Sequence, residues 1–497
     1  LLAYIGNGNE NGSWAPHLHF QLMLDRLGYK NDFPGVCVPD AKEVWKSICP
    51  SPNLFFKHSV LSPTLPSEDS ETIKFRKNHL GKSLSLSYDK PLKILRGQGA
   101  YLMDNTGRKY LDTVNNVAHL GHEHPRIVLA GQKQMALLNT NTRYLHDQIN
   151  TFAKELLSTF PPELSVVHFV NSGSEANELA LRMAYAFTGE KDILAVEVGY
   201  HGNTNGCVNI SSYKFDGSGG NGAPEHTHIV PLPDSYRGIY QGLNTAHHYA
   251  SHIQEQIDAV HKKNRGVAAF ICESIISCGG QIELPEGYLS QSYEAIRKAG
   301  GLCIADEVQT GCGRMGKTFW GFQLHDVIPD IVTIGKPIGN GHPLAAVVCS
   351  KKVSEAFANG MEYFNTFGGN PVSCAIGNEV LRVIKEERLQ ENALLAGAYL
   401  KNELMGLQQQ FSIIGDVRGQ GLFLGFELVD YKKNPLPKHA SYLVNRMKQL
   451  GILMSTDGKD HNAIKIKPPM VFSLEHCNEL ISRLKIVFAE NFMMHHI

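Results

Sequence analysis

The chain has 497 residues, 42% hydrophobic and 19% charged, with a formal net charge of −1. That is globular composition in a chain too long for one ordinary core, and its length suggests roughly three domain-sized units. Near-neutral charge gives no electrostatic case for nucleic acid or an anionic membrane as partner, and no apolar run is long enough to span a bilayer.

The opening Leu1-Leu2-Ala3-Tyr4-Ile5 is too short for a secretory apolar core. Next, Asn11-Gly-Ser-Trp-Ala-Pro-His-Leu-His-Phe-Gln21 places His17 and His19 on one face of a strand. This stretch resembles the last strand of lysostaphin-like zinc endopeptidases. Two histidines fall short of the three protein ligands a catalytic zinc site needs, so residues 1–52 read as the remnant of a peptidase-like β domain with no metal. Residues 53–74, rich in Pro and Ser, read as a linker.

Residues 75–118 are expected to open a small domain, 119–375 to form a large domain, and 376–497 to complete the small one. In the large domain Val166–Val170 reads as a strand and Ser174–Phe187 as a helix closed by Gly189. Apolar runs bounded by turns follow at 193–198, 267–272, 302–305, 331–334 and 344–349, with helical segments between several of them. They predict a mostly parallel sheet buried on both faces. In the C-terminal part, 380–385, 440–449 and 474–489 read as helices, and 422–429 and 463–466 as strands. Ten scattered cysteines without a CxxC pair fit reduced core thiols in a cytoplasmic protein.

Three strand ends carry chemistry. At Asn171-Ser-Gly-Ser-Glu175 a strand enters a small-residue turn and a helix begins at once. Free N–H groups there suit a phosphate, although Ser172 or Ser174 could equally be a plain helix cap. At Asp306-Glu-Val-Gln309, alternation puts Asp306 and Val308 on one face. A carboxylate so placed could hold a pyridine nitrogen protonated with the valine beneath the ring, or could serve a metal or a solvated loop. Lys336, between Gly335 and Pro337 at the end of 331–334, is a nucleophile if desolvated and a turn lysine if exposed. Gly311-Cys-Gly-Arg-Met-Gly316 also spells the dinucleotide pattern GxGxxG, but no helical period follows it.

Taken in order, these segments resemble the class-III (ω-) aminotransferase family of pyridoxal 5′-phosphate (PLP) enzymes. Tyr200-His201-Gly202 and Asn365-Thr-Phe-Gly-Gly-Asn-Pro371 extend the match, which runs roughly from Phe75 to Phe488. The resemblance implies PLP fold type I, a large mostly parallel α/β/α sandwich with a small α+β domain. It implies that Ser172, Gly173 and Ser174 bind the cofactor phosphate, that Tyr200 stacks on the ring beside His201, and that Val308 lies beneath it. Asp306 would pair with the ring nitrogen, Gln309 with the ring hydroxyl, and Glu273 would support the loop around them. Lys336 would carry PLP as a Schiff base and move the substrate proton. Thr366 would reach the phosphate of a neighbouring subunit, which implies a homodimer.

Longer stretches, including 115–122, 138–144, 233–238, 363–377, 455–458 and 465–470, resemble the subgroup of phospho-lyases acting on O-phosphoethanolamine and 5-phosphohydroxylysine. Elimination of phosphate and ammonia is therefore expected, with ω-amino group transfer to 2-oxoglutarate or pyruvate as the alternative. Both start with the same proton transfer, so the cofactor residues cannot choose between them. Arg418 matches the arginine with which aminotransferases hold a substrate carboxylate, and a guanidinium grips phosphate as well. Arg237 and Lys467 are further candidates for the substrate anion.

Overall fold

A computed structural model of the chain describes residues 69–495. The segment carrying His17 and His19 and most of the expected linker lie outside the described residues. Residues 69–85 belong to one compact unit and 86–495 to another. In the first, Asp69–His79 is a helix whose first turn carries Asp69 and Glu71 and whose last turn carries Arg76, Lys77 and His79. That polarity suits the helix dipole, so a helix begins inside the segment that reads as linker from its composition.

The second unit begins with an antiparallel meander of β1 (Ile94–Gln98), β2 (Tyr101–Asp104) and β3 (Lys109–Asp112). Then come β4 (Val166–Val170), β5 (Asp192–Val196), β6 (Thr227–Val230), β7 (Val267–Glu273) and a short hairpin of β8 (Ile275–Ile276) and β9 (Ile282–Glu283). β10 (Leu302–Asp306), β11 (Ile331–Ile334) and β12 (Ala345–Cys349) complete the main sheet. Its order is β4-β12-β11-β10-β7-β5-β6, and it is parallel except for β12, which runs against both neighbours.

Continuous apolar strands make this sheet a middle layer. Side-chain alternation sends Leu194, Phe270, Cys303 and Val332 into one core and Ile193, Ile271, Ile304 and Ile331 into the other. The second core is covered by the helix Gly173–Thr188 through Ala176, Leu179, Ala180 and Met183. Helices Ala246–His261, Tyr288–Lys298 and Pro371–Glu386 cover the first. The chain thus forms the α/β/α sandwich of PLP fold type I.

The smaller α+β part is built around β13 (Ile414–Gln420), β14 (Phe423–Leu428), β15 (Ile452–Leu453), β16 (Ser455–Asp457) and β17 (Ala463–Ile466). Four of them form the antiparallel sheet β13-β14-β17-β16, while β15 joins the N-terminal meander by pairing Ile452 with Leu111 and Leu453 with Asp112. Helices Leu389–Gln410, Pro437–Gln449 and Leu474–Phe488 pack on these strands.

The glycine-rich loop at 311–316 leads through turns into a short 3₁₀ segment, Gly321–His325, rather than into a dinucleotide-binding helix. Its glycines serve packing: Gly316 has φ +73°, and a Cβ there would lie 2.6 Å from the Leu394 backbone. Within the loop the fully buried Arg314 donates to the carbonyls of Leu422 (2.9 Å) and Pro468 (2.6 Å) and approaches His119 Nδ1 at 3.2 Å. It ties the loop after β10 to the smaller sheet. Arg314→Ala would leave both carbonyls unpaired beside a new cavity, and a loss on the order of 3 kcal/mol is expected. A fall in the urea midpoint of unfolding reads this out; an unchanged midpoint would show that the tie is dispensable.

Candidate active site

The carboxyl ends of β7, β10 and β11 open into a cavity of about 320 Å³, within the range of small-ligand sites. All the residues expected to hold a cofactor line it except Thr366: Ser172, Gly173, Ser174, Tyr200, His201, Glu273, Asp306, Val308, Gln309 and Lys336.

One wall is the start of the helix Gly173–Thr188. Its N-cap is Ser172, whose hydroxyl accepts from the Glu175 N–H at 3.2 Å, while Glu175 Oε2 accepts from the Asn171 N–H at 2.6 Å. The cap and the anion cup therefore occupy the same turn, because the first N–H groups of a helix have no intrahelical acceptor. Gly173 is required by close approach: a Cβ there would meet Val308 Cγ1 at 2.7 Å. Ser174 Oγ donates to Asn203 Oδ1 (2.9 Å) and accepts from the Asn203 N–H (3.1 Å), which fixes the turn after Gly202.

Asp306 is 4% exposed and accepts three hydrogen bonds. The His201 Nδ1–H (2.8 Å) and Asn177 Nδ2 (2.8 Å) donate to Oδ2, and the Val308 N–H (3.1 Å) donates to Oδ1. Asn177 also donates to the His201 carbonyl at 2.7 Å, so one amide joins three segments. Asn177 escaped the sequence reading; its signal is a polar residue on the buried face of an otherwise apolar helix. The neighbouring Glu307 turns the other way. It is fully buried and accepts from Ser274, Thr310 and the N–H groups of Gly321 and Phe322, so only one of the paired carboxylates serves the cavity.

Lys336 begins a 3₁₀ turn directly after β11, half-buried, with φ +25°. A non-glycine residue in that region is strained, and here the strain coincides with the residue predicted to react. Gln309 is held by Asn116 Nδ2 (3.0 Å) and Lys467 Nζ (3.2 Å) at Oε1, and its own amide donates to Ser277 Oγ. Thr366 is exposed on the loop after Asn365, whose side chain accepts from Asn171 Nδ2 at 2.9 Å.

The anion-binding candidates part company. Arg418, 7% exposed, donates to the Gly280 carbonyl (2.8 Å), Asp416 (2.9 Å) and Glu427 (2.8 Å). Arg237 donates to Glu427 (2.6 Å) and Asp460 (3.0 Å). Both line a second cavity of about 280 Å³ rather than the one holding Lys336, so the structure does not bring them to the cofactor residues. Lys467 is 2% exposed, one hydrogen bond behind Gln309, with Asp457 at 3.7 Å and its ammonium over the Phe423 ring. Burial pulls its pKa down to about 8.

The chain belongs to the class-III aminotransferases, whose pattern it matches over residues 85–488. It is 51% identical over 422 residues to a Drosophila melanogaster protein named alanine–glyoxylate aminotransferase 2-like, covering 83% of this chain and 85% of that one. To the Caenorhabditis elegans ethanolamine-phosphate phospho-lyase homolog 1 it is 39% identical over 437 residues, covering 84% and 93% respectively. A solved Arthrobacter phospholyase in complex with phosphoethanolamine shares the fold with a TM-score of 0.81 at 36% identity, covering 84% of this chain and 99% of that one.

Enzymes of this family depend on PLP, and the residues present fit that group. The helix N-terminus suits its phosphate, the Gly173–Val308 contact leaves no room for a side chain in the cup, and the clamped Asp306 offers a fixed anion. Glu273 Oε1 is a buried oxygen without a partner among the described residues. Gly173→Ala is expected to push the cup off Val308, a strain of about 1–3 kcal/mol. PLP titration of the apoprotein should then give a Kd raised about tenfold or more; an unchanged Kd would exclude Gly173 from the cup.

Proposed function

We propose that this chain is a phospho-lyase that removes phosphate and ammonia from a phosphorylated primary amine such as O-phosphoethanolamine. The observation that carries this reading is the commitment of Arg418. An aminotransferase must hold the carboxylate of an oxo acid to recover its amino group, and the arginine in that position is tied to carboxylates of its own chain. Its Nε–H donates to the Gly280 carbonyl and its Nη1 to Asp416 and Glu427, and its neighbour Arg237 is bound by the same Glu427. The two arginines face three carboxylates, Asp416, Glu427 and Asp460, so that cluster has no spare positive charge. Lys465 and Lys467 share the single carboxylate Asp457, and Lys467 is the cation nearest to Gln309. An excess of positive charge there favours a substrate phosphate on the Lys467 side. The likeness to the phospholyase that was solved with phosphoethanolamine supports the same assignment.

In this reading Ser172, Gly173 and Ser174 hold the cofactor phosphate, Tyr200 and Val308 flank its ring, and Gln309 fixes the ring hydroxyl. The bound cofactor supplies a protonated pyridinium that withdraws electrons from the substrate carbon bearing the amine. Asp306 keeps the ring proton in place, itself oriented by His201 and Asn177. Lys336 takes the proton from that carbon.

A homodimer with shared sites would bring Thr366 to the partner's phosphate cup. It is supported by exposed apolar side chains close to Thr366 in the chain, Met361 at 73% and Phe367 at 66%, and by Arg143 stacked on Phe364, which joins that loop to the one before Tyr144. Unpaired cysteines such as Cys272, Cys303 and Cys349 suit a reducing, cytoplasmic setting.

Amino transfer to 2-oxoglutarate or pyruvate is the second reading, favoured by the 51% identity to the protein named as an aminotransferase. Phosphoethanolamine supplied without any oxo acid decides between them. Release of phosphate and ammonia in equal amounts is expected. Turnover that requires an oxo acid and leaves phosphate on the product would establish the transaminase instead.

A further inference from the structure

Glu273 ends β7 beside Asp306 of β10, its register partner, and lines the Lys336 cavity while being only 2% exposed. Its two oxygens differ. Oε2 accepts from the Ser277 N–H at 3.2 Å and from the Ser277 hydroxyl. Ser277 Oγ in turn accepts from the Gln309 amide, and Gln309 Oε1 accepts from Lys467 at 3.2 Å. This chain of donors fixes the carboxyl group in one orientation. Oε1 has no partner among the described residues. A buried polar atom left unpaired costs about 1–3 kcal/mol, and such an atom in a ligand cavity is one that a ligand completes.

Burial first, and then the charge of Asp306, raises the Glu273 carboxyl above the ordinary carboxylate range, against the opposing pull of His201, Ser277 and Lys467. Asp306 cannot share this role, because three donors hold it as an acceptor.

The elimination needs such a group. A phosphate monoester has a second pKa of about 6, so it enters mostly as a dianion. If its carbon–oxygen bond broke unaided, the phosphate would depart as a trianion, a strongly basic leaving group. We infer that Glu273 is the general acid of the reaction, delivering the proton on Oε1 to the bridging oxygen of the departing phosphate. The inference rests on the phospho-lyase reading. The carbon–oxygen bond breaks and its electron pair goes to the bridging oxygen, which takes the Glu273 proton and leaves as hydrogen phosphate. The electron pair released when Lys336 removes the carbon-bound proton forms the new carbon–carbon double bond. Glu273 is left as a carboxylate and regains its proton from water when the products leave.

The test compares wild-type and Glu273→Gln holoenzymes on phosphoethanolamine in D2O. The glutamine keeps size and polarity but has no proton to give. Phosphate release is expected to fall at least about 100-fold, the lower bound for losing general acid catalysis. Deuterium should still enter the unreacted substrate beside its amine, because Lys336 is intact. Glu273→Asp should recover part of the phosphate release. On the protein alone, infrared difference spectra should show a neutral carboxyl band in the wild type that Glu273→Gln lacks. Phosphate release within tenfold of wild type, or deuterium entry lost together with it, would overturn the role. A wild-type enzyme that releases no phosphate at all would instead overturn the phospho-lyase reading beneath it.

Discussion

The Asp306 carboxylate, gripped by His201, Asn177 and the Val308 N–H, is the interaction on which the site depends. Each donor comes from a different part of the large domain: the loop after β5, the buried face of the helix after β4, and the turn after β10. Formation of the clamp therefore requires the sheet to be complete. The helix that supplies Asn177 also presents its N-terminus to the cavity, so holding the carboxylate and holding a phosphate are one folding event. A buried carboxylate that lost a donor would face the desolvation cost alone, which explains why the apolar strands around it tolerate a cluster of polar side chains at their ends.

Charge is allocated unevenly around the site. Glu427 binds both Arg237 and Arg418, and Asp416 and Asp460 complete their pairing. Partially buried ion pairs of this kind add little net stability, but breaking one is costly because the surviving charge is left unpaired. Both arginines are thus held in place by carboxylates of their own chain. Lys467, by contrast, sits over an aromatic ring and one hydrogen bond from a cavity residue, and although burial pulls its pKa down to about 8 it keeps its charge at neutral pH. The polar chain from Lys467 through Gln309 and Ser277 to Glu273 fixes that carboxyl group, leaving Oε1 without a partner among the described residues.

Much of this was legible in the sequence because strand ends in a buried parallel sheet are punctuated sharply. Val166–Val170, Ile331–Ile334 and Ala463–Ile466 form as their apolar runs predict, and Ser172 and Gly189 bound the first helix of the site. Helix Pro371–Glu386 is longer than the reading from Val380 because its first two turns mix Ser373, Cys374, Ala375 and Gly377 with only two large apolar residues, Val372 and Ile376, and so show no clear stripe; Asn370 caps it. The helix Leu389–Gln410 buries Leu389, Ala393, Ala396, Leu400, Leu404 and Leu407. Exposed Leu394, Leu395 and Met405 blur that stripe in the sequence. The fate of Arg418 could not be read at all: its partners Gly280 and Glu427 are brought to it by separate elements, and spacing carries no information about such pairs.

As the fixed counter-charge of the site, the clamped Asp306 would keep the cofactor's ring nitrogen protonated. Nitrogen-15 NMR of the holoenzyme loaded with ring-labelled PLP measures this directly. A protonated pyridinium shift is expected in the wild type, and a neutral pyridine shift in Asp306→Asn with the cofactor still bound. The same protonated shift in both proteins would contradict the account.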